Sequence, residues 1–128
     1  MNKYPLNITL GIIPVYARIV GPRQKQWIKM ALDSGATYTL IPIETAIATG
    51  YNPVASKRSI EISTASGIVL APIIIIKSLI CFGKKMNDIE VVCHNLPPQS
   101  PVRGLLGLNF MKDFNLHLLF KNKILEIE

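Results

Sequence analysis

The chain of 128 residues predicts a single all-β domain over residues 1–128, with one or two short helices. Three observations carry this prediction. Short apolar stretches alternate with polar residues at the period of a strand. Turn-forming Gly, Pro, Asn and Asp interrupt those stretches repeatedly. Helical patterning is confined to two short runs, residues 43–50 and part of 104–114.

In order along the chain, "PVYARIV" alternates Val15, Ala17 and Ile19 with Tyr16 and Arg18. "GPRQ" supplies a turn before "WIKMALD", where Ile28, Met30 and Leu32 share one face, so a hairpin delivers Asp33 to its far end. A Gly-bearing turn and the run "TYTLIP" follow, and "IETAIATG" is a short helix entered at Pro42 and left at Gly50. "SIEIS", the turn "TASG" and "IVLAPIIII" make a second hairpin. Two further strands are expected from Ser78 to Phe82 and from Asp88 to Cys93, with "GKKMN" as the turn between them. The Pro-rich "HNLPPQSPVR" is a loop. "GLLGLNFMKDF" accommodates one helical segment, and "LHLLF", "KNK" and "ILEIE" form a closing hairpin.

Hydrophobic residues make up 49% of the chain and charged residues 17%, which excludes a disordered chain and leaves an apolar surplus that fits burial against a partner. The uncharged run Gly67–Ile76 is broken by Pro72 and falls well short of the ~20 apolar residues of a spanning helix, so this chain gives no indication of a membrane. Pro5, Asn7, Thr9, Gly11 and Pro14 break up a signal-peptide core, and the expected setting leans to the cytoplasm. Cys81, Cys93, His94 and His117 lack metal-ligand or disulfide-framework spacing, so no metal and no cofactor is expected. The net charge of +6 is spread over short clusters such as Lys57–Arg58, Lys84–Lys85 and Lys121 with Lys123. With no basic run and no interleaved aromatics along the sequence, the expectation is no nucleic-acid partner.

Asp33 is then the residue that needs explaining. A carboxylate at the end of a buried strand is costly unless it is hydrogen-bonded, paired or neutralised, and the nearest basic residue in sequence is Lys29. Asp-Ser-Gly is also good turn chemistry, because an Asp side chain accepts from its own backbone two residues on.

Asp33-Ser34-Gly35-Ala36-Thr37, preceded by Met30, Ala31 and Leu32, resembles the active-site motif of the retropepsin-like aspartic proteases. Two more features match that family in order. Leu105-Leu106-Gly107, leading into Leu108-Asn109-Phe110-Met111, resembles its hydrophobic-hydrophobic-Gly signature. The segment Ser63–Pro72, with its tip at Ala65-Ser66-Gly67, resembles its flap. The basic residue that often follows the second Gly in viral members is Leu108 here.

The resemblance implies a closed or partly open acid-protease barrel, one lobe per chain, and an aspartic endopeptidase whose second carboxylate comes from a homodimer. Asp33 would be catalytic, with Ser34, Gly35, Ala36 and Thr37 supporting its loop. Thr64, Ala65, Ser66 and Gly67 would bind an extended peptide or protein substrate, and Leu105, Leu106 and Gly107 would back the catalytic loop. The alternative is a non-catalytic dimerisation or peptide-binding module of the same fold.

Overall fold

A computed structural model describes residues 2–128. In it β2 (Pro14–Val20) and β3 (Lys25–Leu32) pair antiparallel, as the alternation of their side chains requires. Val15, Ala17, Ile19, Ile28 and Met30 are buried, while Tyr16, Arg18, Trp27 and Lys29 between them are exposed or half-buried. β3 runs parallel to β8 (Gly104–Leu106), which is antiparallel to β4 (Thr39–Ile41). β4 is parallel to β7 (Lys84–Cys93), β7 is antiparallel to β6 (Gly67–Cys81), and β6 returns to β2.

These six strands close on themselves as a barrel, so none of them is left as an open edge. β5 (Ser59–Thr64) pairs only with the first part of β6 and stands out from the barrel as a hairpin. The interior is filled by side chains such as Ile19, Met30, Ile41, Ile76, Leu106 and Phe110. Helix α1 (Ile43–Thr49) lies where Pro42 and Gly50 bracket it, and the short helix α2 (Leu108–Met111) follows β8.

Several expected boundaries move, each for a pairing reason. The strand expected to begin at Ser78 is the end of β6, which runs unbroken for 15 residues. Its first part pairs with β5, its middle with β7, and its last residues with both β7 and β2, so Ser78 stays in the ladder, while the Lys77 N–H goes to the Tyr51 hydroxyl. Pro72 has no N–H to give and falls where β6 leaves β5 for β7. The turn expected over Gly83–Asn87 is only Phe82–Gly83, whose φ values of 55° and 71° suit a two-residue hairpin, and Lys84–Asn87 are strand. Gly104–Leu106 is a strand, not part of a helix, because β3 and β4 flank it and take its backbone groups.

A second sheet has the order β1-β10-β9 and joins β1 (Asn2–Pro5), which the sequence did not disclose, to β9 (Leu116–Leu119) and β10 (Ile124–Ile127). Leu6, Leu125 and Ile127 are buried beneath it. Asn115 and Glu128 exchange both backbone bonds at 2.9 and 3.0 Å, so by antiparallel alternation the N–H groups of Leu116 and Leu118 point away from β10, toward the free edge of β9.

Where α1 ends, Tyr51 reaches back to the barrel. Its hydroxyl donates to Val20 O at 2.7 Å and accepts from Lys77 N at 2.7 Å, tying β2 to β6 beyond the last residue pair of their ladder. Burial raises the pKa of this phenol, and the bond from Lys77 offsets part of that rise.

Candidate active site

The parallel pairing of β3 with β8 carries the two expected motifs side by side, with Leu32 opposite Leu106. Asp33 follows directly, and its N–H donates to Leu106 O at 3.0 Å. Gly35 N donates to Asp33 Oδ1 at 2.9 Å, and Ala36 N to Asp33 O at 3.2 Å. The turn chemistry of Asp-Ser-Gly is therefore present, and it fixes the orientation of the carboxylate. Asp33 is half-buried, while Ser34 and Gly35 are exposed. Among the described residues the Gly35 amide is the only hydrogen-bond partner of the Asp33 side chain.

The second motif holds this loop through backbone and side-chain bonds. Leu108 N donates to Ala36 O at 2.8 Å. Gly107 is needed because a Cβ there would lie 2.6 Å from Tyr38 O and 2.8 Å from Ala36 O, both backbone atoms that cannot swing aside. Gly107 N donates to Thr39 Oγ1 at 3.1 Å. Thr39 in turn donates from both its N–H and its hydroxyl to Asn109 Oδ1, each at 2.9 Å, and Asn109 Nδ2 donates to Glu90 O at 2.6 Å. One amide side chain thereby links β4, β7 and the start of α2.

Thr39 and Asn109 are the residues that sequence reasoning missed. Thr37, expected to brace the loop, is exposed and makes no side-chain hydrogen bond among the described residues. The bracing hydroxyl belongs to Thr39, which is fully buried. The available signal was the placement of Asn109 immediately after Gly107 and Leu108, where a side-chain amide can reach back to the neighbouring loop.

A groove of about 1420 Å³ is lined by Ala36 and Thr37 of the loop, though not by Asp33, Ser34 or Gly35. Leu40, Val92 and Leu105 contribute apolar surface, and Ile60, Ile62, Thr64, Ala65 and Ser66 line it from the β5–β6 hairpin. The hairpin tip is tied by Thr64 Oγ1, which donates to Gly67 O at 2.8 Å and accepts from Ser66 N at 3.2 Å. Gly67 turns the chain at φ 117°, a backbone conformation suited to glycine, and does not itself line the groove. Leu105 lines the groove while Leu106 is buried behind it, so the paired leucines serve different faces. The residues Leu96, Pro97 and Val102 of the Pro-rich loop also line the groove, and an ion pair between Arg103 and Glu44 sits at its margin.

A six-stranded barrel with an Asp-Ser-Gly loop clamped by a Leu-Leu-Gly segment is the lobe of an acid protease. A family model described as "gag-polyprotein putative aspartyl protease" matches residues 23–113, and the chain belongs to that aspartyl protease family. The crystal structure of a retropepsin-like aspartic protease from Rickettsia conorii is similar to it, with a TM-score of 0.71 at 22% identity, covering 96% of this chain and 87% of that one. The fold is thus retropepsin-like. A search of curated proteins found no match.

Proposed function

We propose that the chain is an aspartic endopeptidase that works as a homodimer, with Asp33 of each copy facing the other across a twofold axis. The observation that carries this is the Asp33 loop itself: an oriented, half-buried carboxylate with one amide donor, beside a groove large enough for an extended peptide. One carboxylate is half of the required chemistry, and a twofold contact supplies the other half by bringing the same loop to itself.

Two carboxylates this close do not readily both ionise, so they share one proton. The ionised Asp33 takes a proton from a water as that water attacks the scissile carbonyl carbon. The protonated one, the partner's Asp33, hydrogen-bonds the carbonyl oxygen. As the tetrahedral species collapses, the C–N bond breaks and a carboxyl proton passes to the leaving nitrogen. Ser34, exposed beside Asp33, would on this reading meet its copy near the axis.

On this reading the hairpin residues Thr64, Ala65 and Ser66, with Gly67 at the turn, act as a flap that adds main-chain bonds to an extended substrate. The apolar groove selects apolar side chains. The second copy joins along the free edge of β9, antiparallel to its own β9, where Leu119 and Phe120 are exposed.

The test is cleavage of a diverse peptide pool from acid to neutral pH, with sedimentation of wild type and Asp33→Asn. The expected result is cleavage by the wild type, none by Asp33→Asn, and the same dimer in both. A wild type that cleaves nothing, or an Asp33→Asn protein that cleaves normally, would remove the catalytic reading and leave a dimerisation or peptide-binding module.

A further inference from the structure

Strand pairing undoes the dispersal of positive charge that is seen along the sequence. In the β2–β3 register Tyr16 lies opposite Lys29, Arg18 opposite Trp27 and Val20 opposite Lys25. The row continues from Arg18 to Ile80 on β6 and from Ile80 to Lys85 on β7. Alternate residues of a strand share a face, and the intervening residues Ala17, Ile19, Ile28 and Leu79 are buried in the barrel. Arg18, Lys25 and Lys29, on the paired strands β2 and β3, therefore stand together on the outer face of the sheet, and Lys85, 67 positions from Arg18 in sequence, lies on that face two strands beyond Arg18.

This face is uncompensated. None of the register positions just named holds a carboxylate. Among the described residues, none of the four cations takes part in an ion pair; the pairs found use Lys3, Arg58, Arg103 and His117. Arg18 Nε is buried without an acceptor.

The cations surround two aromatic rings. Tyr16 is 62% and Trp27 58% exposed, an uncommon outlay of apolar surface beside unpaired charge. The Arg18 guanidinium lies 5.2 Å from the Trp27 ring centroid, holding the indole in place. Tyr16 and Trp27 are diagonal neighbours across the strand pair, about 7–8 Å apart at the backbone. That separation exceeds the roughly 3.4 Å step per strand of a stacked duplex, and so suits bases that have been splayed apart.

We propose that this outer face binds single-stranded nucleic acid, Tyr16 and Trp27 stacking on bases while Arg18, Lys25, Lys29 and Lys85 engage phosphates. The combination of a cationic surface with exposed rings on a sheet is what sequence-tolerant single-strand binding uses. Duplex phosphates would meet the charges and leave the rings without a role. A lipid surface calls for an apolar wedge, and the remaining side chains in the central row and its neighbour, Val20 and Ile80, are half-buried in the sheet. None of these residues lines the groove, so the face is independent of the peptidase reading.

Trp27 is the only tryptophan and reports directly on its own face. The full-length protein is titrated with 12-mers of oligo-dT and of oligo-U, following Trp27 fluorescence and the anisotropy of labelled strands. The expected result is quenching on saturation and an affinity that falls with salt at a log–log slope of about −3, from four phosphate contacts at roughly −0.7 each. Tighter binding of one oligomer assigns RNA or DNA as the preferred form. Tyr16→Ala, with Trp27 retained as reporter, is expected to weaken binding on the order of tenfold through lost stacking. Lys25→Glu with Lys85→Glu, both at exposed positions, should at least halve the slope with the melting temperature unchanged, and Asp33→Asn should bind like wild type. No binding at low salt, equal binding of poly-glutamate or duplex without quenching, or binding to phosphatidylserine vesicles in place of oligomers would each overturn the proposal.

Discussion

Replacing Asn109 with alanine tests the clamp that orients the Asp33 loop. The side chain accepts two hydrogen bonds from Thr39 and donates one to Glu90 O. Each such bond contributes about 1 kcal/mol net, and the Thr39 N–H would be stranded where the residue is fully buried, at a cost of about another 1 kcal/mol. The expected loss is about 3–4 kcal/mol. With an unfolding entropy of roughly 2.1 cal/mol/K per residue, a chain of 128 residues should melt roughly 11–15 °C lower. Asn109→Asp keeps both acceptor bonds but turns a carboxylate oxygen toward Glu90 O where the amide donated, a repulsion in place of a bond, so it too should melt below wild type. The assay is thermal and urea unfolding at matched protein concentration, since the melting point of the proposed dimer would depend on concentration. If Asn109→Ala melts within about 4 °C of wild type, the bonds to Thr39 and Glu90 do not hold the loop as described.

Burial raises both Cys81 and Cys93 to about 12, from 9.0. The unfolded chain therefore gives up two thiol protons that the folded chain keeps, so the stability associated with them is full below about pH 9 and drains away as pH climbs from 9 toward 12. Urea midpoints across that range should fall with pH, less steeply in Cys81→Ala/Cys93→Ala, and native thiols should resist alkylation at pH 8; an equally steep fall in the double variant would refute the assignment. At the free edge of β9, Leu118→Pro removes an N–H that β10 does not use, and is expected to give a folded, inactive monomer by sedimentation. Leu118→Ala, which keeps that N–H, should remain dimeric; a dimeric Leu118→Pro protein would place the second copy elsewhere.

The parts of the fold legible in the sequence were those governed by local pattern. The β2–β3 hairpin follows from alternation, α1 from Pro42 and Gly50, and the β5–β6 hairpin from "SIEIS" and the turn after it. The three-residue strand β8 was not legible, because it exists only through the neighbours on both sides of it. The length of β6 was hidden for the converse reason: Lys77 and Ser78 look like an interruption until β7 and β2 are present to pair with that stretch. In the site, Asp33 and Gly107 announce themselves by type and spacing, whereas Thr39 and Asn109 meet across 70 positions through a single amide. The cationic outer face was invisible for the same reason, since its members become neighbours only through register.

Tyr51 has a consequence for how the barrel moves. Where the β2–β6 ladder runs out, a phenolic oxygen occupies the station that a peptide group would fill in a continuous pair of strands, taking one N–H and offering its proton to one carbonyl. A main-chain rung is bound to its neighbours and parts only when they do, but this fastener swings on two side-chain torsions. The cylinder therefore has a latch at that corner, and it is there that β2 and β6 would separate first, with the remaining staves still joined.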